Sequence, residues 1–372
     1  MTAPIVIAAG GTGGHFFPAE ALAAELQRRG HTIVLMTDAR SADYSSAAFA
    51  SAERFVLKGS GLAGHGVKRA AAGVMGMAAG TLQARQLLLR LKPQAVVGFG
   101  GYPSVPPLVA ARTIPGAKRP ATILHEQNAV LGRANRLLAR GADALALSFA
   151  NTTLVPAGAA SSVVGNPVRP ALADLAGQGF VPPQGALRIF VLGGSLGARI
   201  FSDIVPDAIA ALPITLRGRL SVVQQCRTED LPRVRAAYDA LGIPAELAPF
   251  FGDVAGLYGT ASLVVARAGA STIAELACTG RPSILVPLPH AIDDHQSANA
   301  RALAGAGAAR VMRQADCTPA ALAAVLAEWL GNPEALARAA AAAAALAAPD
   351  AAARLADLVL SRAAARRLQE QH

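Results

Sequence analysis

The chain has 372 residues, of which 53% are hydrophobic, 4% aromatic and 16% charged, so it is long enough for two domains of ordinary size and too apolar for a disordered protein. Its three cysteines, Cys226, Cys278 and Cys317, form no CxxC, which argues against a zinc site or a disulfide frame and fits a reduced cytoplasmic protein. The net charge of +10 is uneven, with 16 Lys+Arg against 7 Asp+Glu in residues 1–166 and 18 against 17 in residues 167–372, so the first half is expected to meet something anionic: a nucleic acid, an acidic ligand or a lipid surface.

The N-terminal stretch PIVIAAGGTGGHFFPAEALAAEL, residues 4–26, joins an apolar run to a glycine cluster. Ile5 to Ala9 reads as a strand buried on both faces. Apolar residues at 19, 22, 23 and 26 form a helical stripe over 18–29, which Gly30 stops. No basic stretch precedes the first apolar run, so no signal peptide is expected. No uninterrupted, strongly apolar segment reaches the ~18 residues of a spanning helix. Strands are expected at 33–36, 95–99, 121–124 and 144–147, each next to helical sequence, the pattern of a doubly wound parallel sheet.

The second half begins the same way. LRIFVLGGSLGARIF, residues 187–201, repeats strand, glycine loop and helix, and Gly10-Gly11-Thr12-Gly13-Gly14 aligns with Gly193-Gly194-Ser195-Leu196-Gly197. Further strands are expected at 220–224, 263–266, 283–286 and 309–312. The chain therefore reads as two Rossmann-like domains joined near Gly165-Asn166-Pro167, with a ligand crevice at the C-terminal edges of the sheets. The helical tail from about Pro349 either returns to the first domain or ends the second.

Glycines at a strand-to-helix turn let backbone N–H groups approach an anion, helped by the helix N-terminus. A dinucleotide fingerprint is incomplete here, because Phe16 stands where the third small residue belongs, although Asp38 lies where a ribose-binding acid would. No Walker lysine is present. Thr12 and Ser195 occupy equivalent places, each setting a hydroxyl beside backbone donors, an arrangement suited to phosphate oxygens.

In ARAGASTIAE, residues 266–275, Ser271 or Thr272 can cap a helix, and Glu275 lies one turn inside it, where a carboxylate can accept both ribose hydroxyls or simply complement the helix dipole. In ILVPLPHAIDDHQSANA, residues 284–300, Asp294, His295, Gln296 and Asn299 suit sugar hydroxyls. Asp293, Asp294 and His295 have no partner ligands at metal-site spacing. No DxD motif occurs, so no metal or other cofactor is expected.

GGTGGH (10–15), GFGGYPS (98–104), HEQN (125–128), GNPVR (165–169), GGSLGAR (193–199), AGASTIAE (268–275) and HQSANA (295–300), in this order, resemble the motifs of the MurG family of bacterial peptidoglycan glycosyltransferases, over residues 4–313. The resemblance implies an α/β GT-B fold: two Rossmann-like doubly wound parallel-sheet domains facing across a cleft. Residues 1–166 would form an acceptor- and membrane-facing domain, onto which a helix at about 349–372 can pack, and 167–348 a UDP-sugar-binding domain. It further implies inverting transfer of N-acetylglucosamine from its UDP derivative to the C4 hydroxyl of undecaprenyl-pyrophosphoryl-N-acetylmuramoyl-pentapeptide (lipid I), giving lipid II. The reaction would take place at the cytoplasmic face of the inner membrane on a peripheral enzyme, with cell-wall synthesis proteins rather than nucleic acid as further partners.

Carried over position by position, the implied substrate contacts are Thr12, Gly13, Gly14, Asn128, Arg169, Ser195, Phe251, Ala270, Ser271, Thr272, Glu275 and Gln296. Phe251 would read uracil through its backbone, Glu275 would hold ribose, Ser195 a phosphate, and Asn128 and Gln296 sugar hydroxyls. Some family members have Gln in place of His295, a larger apolar residue at Ser271 or an aliphatic one at Phe251, and no sugar contact is assigned to His295.

One-step inversion needs a base for the acceptor proton and stabilisation of departing UDP. His15 is the first candidate base, with Glu126 and His125 as alternatives; His15 can equally cap a helix or touch phosphate. Val67, Lys68, Arg69, Val74, Met75, Met77 and Leu82 place apolar residues beside cations, as an anionic membrane surface requires. Arg133, Arg136 and Arg140 sit on one expected helix nearby. The rival readings are a different lipid-acceptor GT-B enzyme, such as a diacylglycerol glucosyltransferase, a non-catalytic UDP-sugar-binding subunit, and an NAD-dependent oxidoreductase.

Overall fold

The structure is a computed structural model, described for residues 3–11, 13–41, 46–58, 67–194 and 197–369, with the backbone alone considered at 67–72, 117 and 369. It divides into two units, Met1–Arg169 with Asp350–His372, and Pro170–Pro349.

The first unit is built on seven parallel strands: β1 (Ile5–Ala8), β2 (Ile33–Thr37), β3 (Glu53–Val56), β4 (Ala95–Gly98), β5 (Ala121–Glu126), β6 (Ala144–Leu147) and β7 (Ser161–Val163), ordered β3-β2-β1-β4-β5-β6-β7. Ile5 pairs with Ile33 on one side and Ala95 on the other. Successive side chains point to opposite faces. Ile5, Ile7, Leu35, Val97 and Ile123 enter one core, and Val6, Val34, Met36, Val96 and Leu124 enter the other. Both faces are covered, which is why the strands are apolar without alternation.

Helices α1 (Gly13–Arg28), α2 (Val67–Leu91), α3 (Gly101–Arg112) and α4 (Arg133–Leu138) connect or cover these strands. α1 starts five residues before Pro18, the first residue of the expected stripe. Glycines and an internal proline are poor helix formers, yet tertiary packing of Phe16, Ala19, Leu22, Ala23 and Leu26 carries the helix through them. His15 thereby lies in its first turn. α4 stops at Leu138, so Arg140 falls in the following 3₁₀ turn, Ala139–Gly141, instead of continuing the helix of Arg133 and Arg136.

The C-terminal helix Ala351–Gln369 packs on α1 and on β4, β5 and β6 of the first unit. Leu355 and Val359 are fully buried there, contributing about 1.5–3 kcal/mol each. Arg366 pairs with Asp143 at 2.8 Å. Burial opposes ionisation of Asp143, but hydrogen bonds from Thr122 and the charges of Arg366 and Arg119 outweigh it and hold the carboxyl below its usual range.

The second unit repeats the topology with six parallel strands: β8 (Leu187–Leu192), β9 (Leu220–Gln225), β10 (Ala245–Ala248), β11 (Leu263–Ala266), β12 (Ser283–Leu285) and β13 (Ala309–Val311), ordered β10-β9-β8-β11-β12-β13. Each sheet thus reverses direction once, between β1 and β4 in the first and between β8 and β11 in the second. Ligands of open α/β sheets bind beyond the C-terminal strand ends at such reversals.

Candidate functional site

The reversal in the first sheet brings together the loops after β1 and β4. Gly11, at φ 89°, takes a conformation that favours glycine, and its N–H donates to Ser41 Oγ at 2.7 Å. Thr12 lies outside the described residues. Gly13 and Gly14 form the first turn of α1, where N–H groups lack intrahelical partners. The loop after β4 passes beside His15: a Cβ on Gly100 would lie 3.5 Å from His15 Cε1, and one on Gly101 3.5 Å from Nε2. Both glycines have positive φ, 80° and 68°.

The end of β5 supplies the rest of the cluster. His15 Nδ1 donates to Gln127 Oε1 at 3.0 Å. Gln127 Nε2 donates to His125 Nδ1 at 3.0 Å and to the His125 carbonyl at 3.2 Å. His125 Nε2 in turn donates to the Gly165 carbonyl at 3.1 Å. Burial pushes the His125 pKa down to about 4, although the Gly165 bond favours the charged ring. His125 is therefore neutral at physiological pH, with both ring nitrogens occupied.

Glu126 points into the protein. Its Oε1 accepts from Asn128 N at 3.0 Å and Asn128 Nδ2 at 3.1 Å, and its Oε2 from Gly132 N at 2.8 Å and Asn135 Nδ2 at 2.9 Å. A carboxylate so saturated and buried shapes the 126–135 loop. It offers an acceptor hydroxyl no lone pair, so of the three candidate bases only His15 keeps a ring nitrogen, Nε2, without a partner among the described residues. Asn128 is anchored by the same carboxylate.

Cations flank the first glycine loop. The Arg169 guanidinium carbon lies 4.8 Å from the centroid of the Phe17 ring, a cation–π arrangement, and the same ring crowds Gly13. Arg40, beside Gly11, donates to Asp38 Oδ2 at 2.8 Å. Asp38, the acid that a dinucleotide's ribose would need, is thus committed to an ion pair.

In the second unit the reversal joins the loops after β8 and β11. Gly193 N donates to Gln225 Oε1 at 3.0 Å. A Cβ on Gly193 would approach Ala198 N to 2.3 Å, so the backbone folds back on itself there. Ser195 lies outside the described residues. Gly269 precedes the helix Ala270–Thr279, whose first turn holds Ala270, Ser271 and Thr272. Ser271 Oγ is buried without a hydrogen-bond partner among the described residues, the condition of a hydroxyl awaiting one. Glu275 is buried one turn further on, where Tyr258 Oη donates to its Oε2 at 3.1 Å.

Gln296 Oε1 accepts from Leu288 N at 3.0 Å. Its amide N–H groups have no partner among the described residues and remain available to donate. Phe251 buries its ring edge-on to Phe190, with centroids 6.2 Å apart. Any recognition by this residue must then come from its backbone. Among the described residues no three His, Cys, Asp or Glu side chains gather as a metal site.

The structure thus assembles His15, Gly13, Gly14 and Arg169 at one sheet edge, and Ser271, Thr272, Glu275 and Gln296 with Ala270 at the other sheet's edge. Three supporting side chains carried no sequence signal of their own. Tyr258 stands 17 residues before Glu275, Asn135 nine residues after Glu126, and Gln127 sat unassigned inside HEQN.

Residues 5–147 match the glycosyltransferase family 28 N-terminal domain and residues 188–355 the family 28 C-terminal domain. A UDP-N-acetylglucosamine–N-acetylmuramyl-(pentapeptide) pyrophosphoryl-undecaprenol N-acetylglucosamine transferase of Granulibacter bethesdensis is 60% identical, over 96% of this chain and 93% of that protein. The enzyme of the same name from Acidiphilium cryptum is 56% identical over 98% of both. The crystal structure of Acinetobacter baumannii MurG superposes with a TM-score of 0.75 at 30% identity, covering 96% of this chain and 99% of that one. A kitacinnamycin glycosyltransferase, at 19% identity and a TM-score of 0.67, shares the fold. The two parallel-sheet units are those of a GT-B glycosyltransferase. With both family domains in order and relatives of this identity along nearly its whole length, the chain belongs to glycosyltransferase family 28 and, within it, to the MurG enzymes.

Proposed function

We propose that the chain transfers N-acetylglucosamine from UDP-N-acetylglucosamine to the C4 hydroxyl of lipid I, with inversion, forming lipid II. One observation carries this reading: 60% identity over 96% of the chain with a transferase named for that donor and acceptor. The first unit supplies the base. His15 Nε2 takes the proton of the acceptor hydroxyl as its oxygen attacks the anomeric carbon, and the glycosidic bond to UDP breaks on the opposite face. His125 and Glu126 hold the loop that supports His15.

The second unit holds the nucleotide. Glu275, oriented by Tyr258, accepts the ribose hydroxyls, and the Phe251 backbone reads uracil. Ser195, with the N-terminal turn Ala270–Thr272, meets the diphosphate and stabilises the leaving charge. Gln296 and Asn128 meet sugar hydroxyls. Thr12, Gly13, Gly14 and Arg169 complete the substrate contacts.

No helix among the described residues is long and apolar enough to cross a membrane, so a lipid acceptor must be met at a surface. α2 supports such a surface: Val74, Met75 and Leu82 are 63%, 67% and 64% exposed, following Val67, Lys68 and Arg69 in the first turn. Met77 turns partly inward against the core, so it contributes less to this face than its neighbours. The surface binds anionic lipid at the cytoplasmic side of the inner membrane. Release of UDP from UDP-N-acetylglucosamine tests the function. It should require a lipid I analogue, and diacylglycerol should neither support it nor compete. Equal release with diacylglycerol would indicate a different lipid glycosyltransferase, and binding without release under any acceptor a non-catalytic subunit.

A further inference from the structure

We infer that Gln127 is a positioning residue that selects the tautomer of His15, holding the proton on Nδ1 and leaving Nε2 as the proton acceptor. The inference deepens the base reading of His15 and rests on it for its catalytic consequence. Its geometric part stands independently on four linked groups.

Two backbone carbonyls, which can only accept, set every direction in the chain of bonds. The Gly165 carbonyl lies 3.1 Å from His125 Nε2, so that nitrogen carries a hydrogen. In the neutral ring His125 Nδ1 then bears a lone pair and needs a donor. Gln127 Nε2, at 3.0 Å, is that donor. The same amide nitrogen lies 3.2 Å from the His125 carbonyl. Reversing the amide would set its oxygen against both a carbonyl and a lone pair. The orientation of Gln127 is therefore fixed twice, and its oxygen must face His15.

An oxygen facing His15 Nδ1 at 3.0 Å accepts a hydrogen from it, so neutral His15 has its free lone pair on Nε2, the nitrogen beside Gly101. Gln127 and His125 are both buried, so water does not compete for these bonds. Asn135 Nδ2 adds a second donor to the His125 carbonyl at 3.2 Å, fixing the inner end. A carboxylate would orient the imidazole equally well and would also stabilise its cation. The arrangement follows the logic of a base oriented by a third group.

The test uses the full chain labelled with ¹⁵N-histidine, with His15 assigned by comparison with His15→Ala. Above the titration range of imidazole, wild-type His15 should show a protonated Nδ1 and a bare Nε2. Gln127→Leu should lose that bias and lower kcat for a lipid I analogue about 10- to 100-fold, the size of loss seen when the partner orienting a metal-bound imidazole is removed, with the KM for UDP-N-acetylglucosamine unchanged. Gln127→Glu keeps the acceptor for His15 but sets its second oxygen against the His125 lone pair and carbonyl, so it should retain the Nδ1–H bias of His15 without restoring full kcat; if the leucine variant fails to fold, the wild-type tautomer spectrum carries the test. A wild-type Nε2–H tautomer, or wild-type kcat in a folded Gln127→Leu, would overturn the inference. Wild-type kcat in His15→Ala would instead remove the base reading, while the spectrum still decides the tautomer.

Discussion

His125 shows how one residue's burial becomes a property of the whole protein. Desolvation holds its pKa at about 4 in the folded state, against ~6.5 for an unperturbed histidine. Between those values the unfolded chain binds a proton that the native ring refuses. Stability is therefore full above about pH 6.5 and falls toward pH 4 at about 1.4 kcal/mol per unit, on the order of 3 kcal/mol in all. Urea midpoints should drop over this window in the wild type and vary less in His125→Gln; parallel curves would contradict the assignment. At this scale the sequence was only partly legible. HEQN announced chemistry after a strand, but His125 and Glu126 looked interchangeable as bases. Their roles separate only when Glu126 is seen filled by four donors and His125 closed between Gly165 and Gln127. Partners brought together by a loop leave no periodic trace.

The central strands could be read directly, because a strand covered on both faces is a continuous apolar run. Three of the four edge strands could not, β13 being the exception. β3 reads ERFV, β7 SSV and β10 AELA, all partly or fully exposed, and short polar edges resemble loops. The start of α1 was hidden by its glycines, with the consequence that His15 sits in a helix and not in the loop before it. The exposed side of α2 carries a prediction of its own. Val74 and Met75 give up no core contact when replaced, and at a lipid interface each contributes about 1.5–3 kcal/mol when fully buried. Val74→Glu with Met75→Glu should weaken sedimentation with phosphatidylglycerol vesicles by about 10-fold or more, while kcat on a water-soluble acceptor is retained. Loss of both together would place these side chains in a core, and unchanged sedimentation would remove α2 from the membrane surface.

Across the molecule, the repeat of strand, glycine loop and helix at residues 4–26 and 187–201 is the trace of two sheets with one topology. β3-β2-β1-β4-β5-β6 and β10-β9-β8-β11-β12-β13 are the same order written twice. Each glycine loop lies at its sheet's reversal, the place where parallel α/β sheets receive ligands. The two copies have diverged where their chemistry does: the first is followed by His15 and the second by Ala198 and Arg199. The tail was the least legible part, since an alanine- and arginine-rich helix suits either unit. Burial of Leu355 and Val359, with the Arg366–Asp143 pair, assigns it to the first. The central claim is transfer of N-acetylglucosamine to a muramoyl lipid, and the linkage of the product tests it most directly. With UDP-N-acetylglucosamine and a lipid I analogue, the expected product is a disaccharide lipid joined β-1,4 to muramic acid. An α-linked product, attachment at another hydroxyl, or no transfer by folded protein would contradict it.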